Sequence, residues 1–182
     1  MTEYMAAAGD GFIVRKADRV DSQTSSVSPA EPTKKEMGIR QLLDAATGIC
    51  TYLLWDKETE DAILVNPVAN NTRDLLLLAT TSLKVVYAVN SHGLDKNAPV
   101  SAGTRQLKQN IKGLKVVVTK MPGIDVEADI LLQDDDILLE NGDEIHFGTR
   151  YITAIATPSP STPGDMSFLL DDKKAVLTSS PL

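Results

Sequence analysis

The feature that most constrains this chain is a change of rhythm along it. Between residues 50 and 119, short apolar runs rich in β-branched side chains recur: Cys50–Trp55, Ala62–Val65, Leu83–Val89 and Lys115–Thr119. The first gap, Asp56–Asp61, is short and polar and reads as a turn, and Asn66-Pro67 ends the second run. The later gaps hold helices. Asn71 offers an N-cap with Asp74 in the first turn and Leu75–Leu78 beginning a buried helix, and Thr104–Ile111 reads as a second, short one. Beyond residue 140 the pattern turns to hairpins. The string ENGDEIHFGTRYITAIA alternates between apolar and polar side chains, with tight turns at Asn141-Gly142-Asp143 and at Gly148. Met166–Leu170 and Ala175–Thr178 flank the turn Asp171–Lys174. Helices between early strands and hairpins late predict an α+β fold, a mixed sheet with helices on its outer face.

Residues 1–37 read as an extended or disordered tail and 38–182 as the folded domain. The stretch SQTSSVSPAEP, Ser22–Pro32, has too little apolar surface to offset its ordering entropy, and the patch Phe12-Ile13-Val14 reads either as a docking point within the tail or as an incidental apolar cluster. Aromatic residues make up only 4 % of the chain, so the core must be aliphatic. A net charge of −7 argues against gripping phosphate backbones or anionic membranes, which need clustered Lys and Arg. No apolar run reaches the roughly 20 residues that cross a bilayer. Glu3 and Asp10 disfavour a secretory signal, leaving an intracellular chain, soluble or peripherally associated, within an organelle such as a mitochondrion or plastid as one option. The single cysteine, Cys50, reads as a small buried hydrophobe.

Several strings resemble the metallo-β-lactamase fold, and within it the persulfide dioxygenase and glyoxalase II group: TYLLWDKETEDAILVNPV, LKVVYAVNSH, ILLENGDEIHFG, TPSPSTPGDMSFLLDD and AVLTSS. The resemblance covers residue 38 to the C-terminus. It implies an αββα sandwich, truncated in its C-terminal half relative to the family, with exposed strand edges for a partner to cover. It also implies a metal site on loops after strands: one Fe(II) held by two His and one Asp in the dioxygenases, two metals in the hydrolases.

At the positions matching those ligands the residues differ. The His-x-His-x-Asp-His loop reads His92-Gly93-Leu94-Asp95-Lys96-Asn97, keeping only the first histidine. Ser161 takes the position of the later His before Thr162-Pro163-Gly164, Thr178-Ser179-Ser180 puts a serine at the later Asp, and Asn66 replaces the Asp of Asp-Pro-Val. The chain has two histidines, and His146 lies in a hairpin strand far from the ligand loops. Lysine beside a divalent site is repulsive. This substitution pattern predicts no catalytic, cofactor or metal residues and no cofactor. The expected role is a catalytically inactive, metal-free structural or accessory subunit, partnered by other protein subunits or by self-association. Two alternatives stand beside it: a metal-dependent sulfur dioxygenase or thioester hydrolase of altered chemistry, and a small-molecule binding module using the vacated pocket. The acidic series Asp125, Glu127, Asp129, Asp134–Asp136, Glu140, Asp143 and Glu144 lacks calcium-loop spacing and reads as a solvated face, as does the basic group Arg105, Lys108, Lys112 and Lys115.

Overall fold

A computed structural model describes residues 12–14, 36–68, 78, 80–92, 99–119, 137–159, 162, 164–171 and 175–177. Two sheets face each other. One contains β2 (Met37–Leu43), β3 (Cys50–Asp56), β4 (Asp61–Val65), β5 (Lys84–Val89), β6 (Lys115–Thr119) and β7 (Ile137–Leu139), in that order. β2 to β4 run antiparallel, and β4 to β7 run parallel. The other sheet is antiparallel, in the order β1 (Phe12–Val14), β8 (Glu144–Phe147), β9 (Arg150–Ala156), β10 (Met166–Leu170), β11 (Val176–Leu177). Among the described residues no helix is long and apolar enough to cross a membrane.

The two rhythms of the sequence have a packing cause. β3 and β4 are covered on both faces: Tyr52, Leu54, Ile63 and Val65 enter the core between the sheets, while Leu53, Ala62 and Leu64 enter a second cluster with Leu107 of helix α1 (Pro99–Asn110). Strands covered on both faces read as continuous apolar runs. β9 is covered on one face, so Arg150, Ile152 and Ala154 are buried while Tyr151, Thr153 and Ile155 are half-exposed. His146, by the same alternation, points away from the core that holds Ile145 and Phe147, and stacks on Tyr151.

The structure adds strands that the sequence reading passes over. β2 carries Arg40 and Gln41 at its centre and lies at the margin of its sheet, so its pattern lacks the apolar continuity of a central strand. The patch Phe12–Val14, read as a docking point in a tail, is β1, docked along β8 of its own chain. α1 begins at Pro99, five residues before the predicted start; proline is pre-set for the first helical turn. The helix predicted from Leu75 lies outside the described residues except for Leu78.

One end of the larger sheet is tied shut by Asp56. Its carboxylate, at the end of β3, accepts from the Thr149 backbone N–H at 2.6 Å, the Thr149 hydroxyl at 2.9 Å and the Glu58 N–H at 2.8 Å. Burial pushes this carboxyl up, but the hydrogen bonds from Thr149, Glu58 and Thr59 outweigh it and hold Asp56 below the ordinary carboxylate range. The contact links the β8–β9 turn to the opposite sheet. Gly148, at φ +61°, forms that turn, and a Cβ there would overlap Thr59 and Asp56.

Candidate functional site

β3 and β4 are antiparallel, so the end of β4 lies at the opposite edge of the sheet from Asp56. Here the C-terminal ends of the parallel strands β4, β5 and β6 come together, the place where open α/β sheets form ligand crevices. Each strand runs straight from buried apolar residues into a polar one: Val65 into Asn66, Val89 into Asn90-Ser91, Val118 into Thr119, all buried.

Asn66 organises this edge. Its backbone takes the left-handed conformation at φ +53°, which asparagine tolerates better than most residues. Its side-chain oxygen accepts from the Ser91 N–H at 2.8 Å and the Ser91 hydroxyl at 3.0 Å, and its carbonyl accepts from the Thr51 hydroxyl at 2.8 Å. Asn90 turns to the helix side, where its oxygen accepts from Thr104 at 2.9 Å. α1 can place Thr104 there because Gly103 lets the helix ride on the Pro67–Val68 backbone; a Cβ at Gly103 would lie 2.3 Å from the Pro67 oxygen.

His92 follows Ser91, and its Nδ1 lies 2.7 Å from Oδ1 of Asp165. Asp165 immediately precedes β10, and the Met166 N–H donates to the Ser91 carbonyl at 2.7 Å, fastening the second sheet to the β5 end. Both side chains are partly accessible, 31 % for His92 and 19 % for Asp165, so the pair is open to solvent at this end of the sheet. In the tautomer that carries its proton on Nδ1, the ring donates to this carboxylate and Nε2 holds the lone pair. Thr162, in the loop ahead of Asp165, hydrogen-bonds with Ser159.

The predicted site residues fare differently. Asn66 and His92 are brought to one edge through Ser91. The remaining loop positions Gly93–Asn97, together with Ser161, Pro163 and Thr178–Ser180, lie outside the described residues. His146 sits on the outer face of the second sheet, 3.2 Å from Glu144. Cys50 is buried and accepts from Gln41. Asp143 accepts from the Glu140 N–H in the turn before β8, and the acidic stretch 125–136 lies outside the described residues. Of the basic group, Arg105 and Lys108 sit on α1, Lys112 in the turn after it and Lys115 at the start of β6, the opposite end of that strand from Thr119. Sequence reasoning missed Asp165. Asp165 is adjacent to a quoted motif, but nothing in the string marks it as a histidine partner 73 residues away.

The metal implied by the resemblance does not fit these residues. Among the described residues no three His, Cys, Asp or Glu side chains gather. The His92 Nδ1 and one Asp165 oxygen already satisfy each other. Asn66 contributes an amide N–H face where a cation needs electron pairs.

No family model matches the chain. Over 172 residues it is 30 % identical to the mitochondrial persulfide dioxygenase ETHE1 of Mus musculus, covering 93 % of this chain and 60 % of that protein. It is 30 % identical over 145 residues to the Homo sapiens protein of the same name, covering 79 % of this chain and 52 % of the relative. The chain thus spans about half to three fifths of the length of these relatives. Among solved structures it resembles ETHE1 from Myxococcus xanthus, with a TM-score of 0.56 at 26 % identity over 74 % of this chain and 54 % of that one. A metallo-beta-lactamase from Staphylococcus aureus aligns with a TM-score of 0.63 at 20 % identity, over 75 % and 38 %. The relatives are named as enzymes, which overturns the expectation of a non-catalytic chain: the missing ligands suggested inactivity, whereas the sequence similarity points to enzymatic function. The chain has the metallo-β-lactamase fold and is similar in sequence to the persulfide dioxygenases.

Proposed function

We propose that this chain is an enzyme acting on a thiol or persulfide substrate, with chemistry altered from that of its relatives. The observation that carries the reading is the His92–Asp165 pair, set at the crevice of a chain similar to persulfide dioxygenases. The step these residues supply is proton transfer. Nε2 of His92 takes the proton of a sulfur–hydrogen bond, an N–H bond forms, and the sulfur is left as the anion, the more nucleophilic form. Asp165 orients the ring and offsets the charge that it gains.

Purified protein given glutathione persulfide should consume it, followed by loss of persulfide sulfur and by oxygen uptake, with and without added Fe(II). Consumption no faster than with His92→Ala would sink the reading. A mitochondrial setting, carried over from the relatives' names, belongs to the same proposal, and fractionation of native material tests it.

A second reading, membership of a protein assembly, is favoured by Ile39 and Leu43. They stand 46 % and 58 % exposed on marginal strand β2, although their register neighbours Leu54 and Cys50 are core residues. A strand edge with exposed apolar side chains invites a partner or a second copy. A concentration-independent monomer in scattering, with no co-purifying protein, would remove this reading.

A further inference from the structure

The chain's one tryptophan, Trp55, stands opposite Gly38 in the β2–β3 ladder. A Cβ on Gly38 would lie 1.9 Å from the indole, so only glycine lets the ring lie across β2 at this point. Part of the ring packs with Leu53 and Leu83 in the apolar cluster on the helix side of the larger sheet. The part left open lines a cleft of about 470 Å³, with Leu53 and Leu83 as its apolar floor and Arg40, Lys57, Glu60 and the segment 80–82 around it. That volume falls within the roughly 300–1,000 Å³ of small-molecule sites. The cleft is remote from His92. Glu60 and Leu83 precede β4 and β5, whereas Asn66 and His92 follow those strands at their other ends.

Most polar groups around the cleft are engaged by their own chain. The Ser82 hydroxyl donates to the Glu60 carboxylate at 2.8 Å and the Thr81 hydroxyl to the Leu78 carbonyl at 3.1 Å. Lys57 lies 3.5 Å from the Glu36 carboxylate. Arg40 differs: among the described residues no carboxylate pairs with its guanidinium. It lies two residues along β2 from Gly38, on the same face, with Leu53 as its ladder partner. A guanidinium grips a carboxylate or phosphate through two parallel hydrogen bonds, and an indole face takes a planar ring in an offset stack. We propose that this cleft binds a small planar aromatic anion, its ring stacked on Trp55 and its acidic group held by Arg40. Nucleoside monophosphates and bicyclic aromatic carboxylates share that chemistry. Glu60 repels an acidic group placed away from Arg40, which favours a ligand charged at one end. The enzymatic reading above is independent of this cleft.

Being single, Trp55 is its own reporter. The whole chain is titrated with adenosine monophosphate and with 2-naphthoate, and with adenosine and inorganic phosphate as the separate halves, at equal ionic strength. Tryptophan fluorescence and calorimetry are followed. At least one of the two aromatic anions should bind saturably and change the fluorescence; which one does so tells phosphate from carboxylate. Adenosine should bind roughly ten- to a hundredfold more weakly than its monophosphate if the phosphate is the group held, and phosphate alone should leave the fluorescence unchanged. Arg40→Ala, at an exposed position, should weaken the bound anion by roughly ten- to a hundredfold. Gly38→Ala pushes the indole from its place and should weaken it by at least roughly tenfold. Failure of both aromatic anions to bind would overturn the proposal, and so would binding that Arg40→Ala leaves unchanged, for Arg40 would then be an ordinary solvated side chain.

Discussion

The two ends of the larger sheet differ in one respect. At the β3 end, the Asp56 carboxylate gathers donors from Thr149 and Glu58 and closes the β8–β9 turn against the sheet. At the β4–β6 end, Asn66 satisfies Ser91 and Thr51 with its oxygens while its amide nitrogen stays without a partner. Both residues are buried, polar and placed at a strand end. The first is completed by its own chain and holds the sheets together; the second is incomplete and sits beside a histidine–carboxylate pair. A completed buried polar group adds to stability, whereas a buried donor without an acceptor is costly unless a water or another group completes it.

Substitutions at the two ends should therefore separate stability from activity. The largest effect is expected at the open end. His92→Ala should lower persulfide turnover by about 10²- to 10⁴-fold, the usual contribution of a general base, while urea unfolding changes little. A folded variant with full turnover would break the contrast. At the closed end, Asp56→Ala removes the charged acceptor shared by the Thr149 and Glu58 N–H groups and should cost about 2 kcal/mol, measured by urea denaturation, with little effect on turnover per folded molecule. Gly148→Ala combines a positive φ with overlap onto Thr59 and Asp56 and should cost about 2 kcal/mol by the same measurement.

The smallest effect is a pH dependence. Because the folded-state pKa of Asp56 is depressed, its stabilising contribution is present above the unfolded value, near 3.9, and is lost as pH falls through the folded one. Asp56→Asn should flatten the acid limb of the stability curve below about pH 4. An unchanged acid limb would mean that the closed end is held by packing alone.

Much of this fold was legible because burial writes itself into periodicity. The runs Cys50–Trp55, Ala62–Val65 and Lys115–Thr119 fall on β3, β4 and β6 because strands covered on both faces must be continuously apolar. The turn at Gly148 followed from alternation on either side of it. β2 escaped because a marginal strand tolerates Arg40 and Gln41, and β7 because three residues carry no period. Of the site, Asn66 and His92 were found through motif positions. Asp165 was not, since its role depends on which strands lie side by side.

The sequence by itself determined the class of fold, through local apolar rhythm and turn chemistry, and the likeness to persulfide dioxygenases, through residue strings that survive at 30 % identity. It also misled: the lost ligands pointed to inactivity, while the relatives that the chain matches are enzymes. Only the tertiary structure decided that Asp165 meets His92 and that Asn66 meets Ser91. Those neighbours come from different strands and sheets, and register, sheet order and burial, which no local pattern encodes, fix which side chains share one crevice.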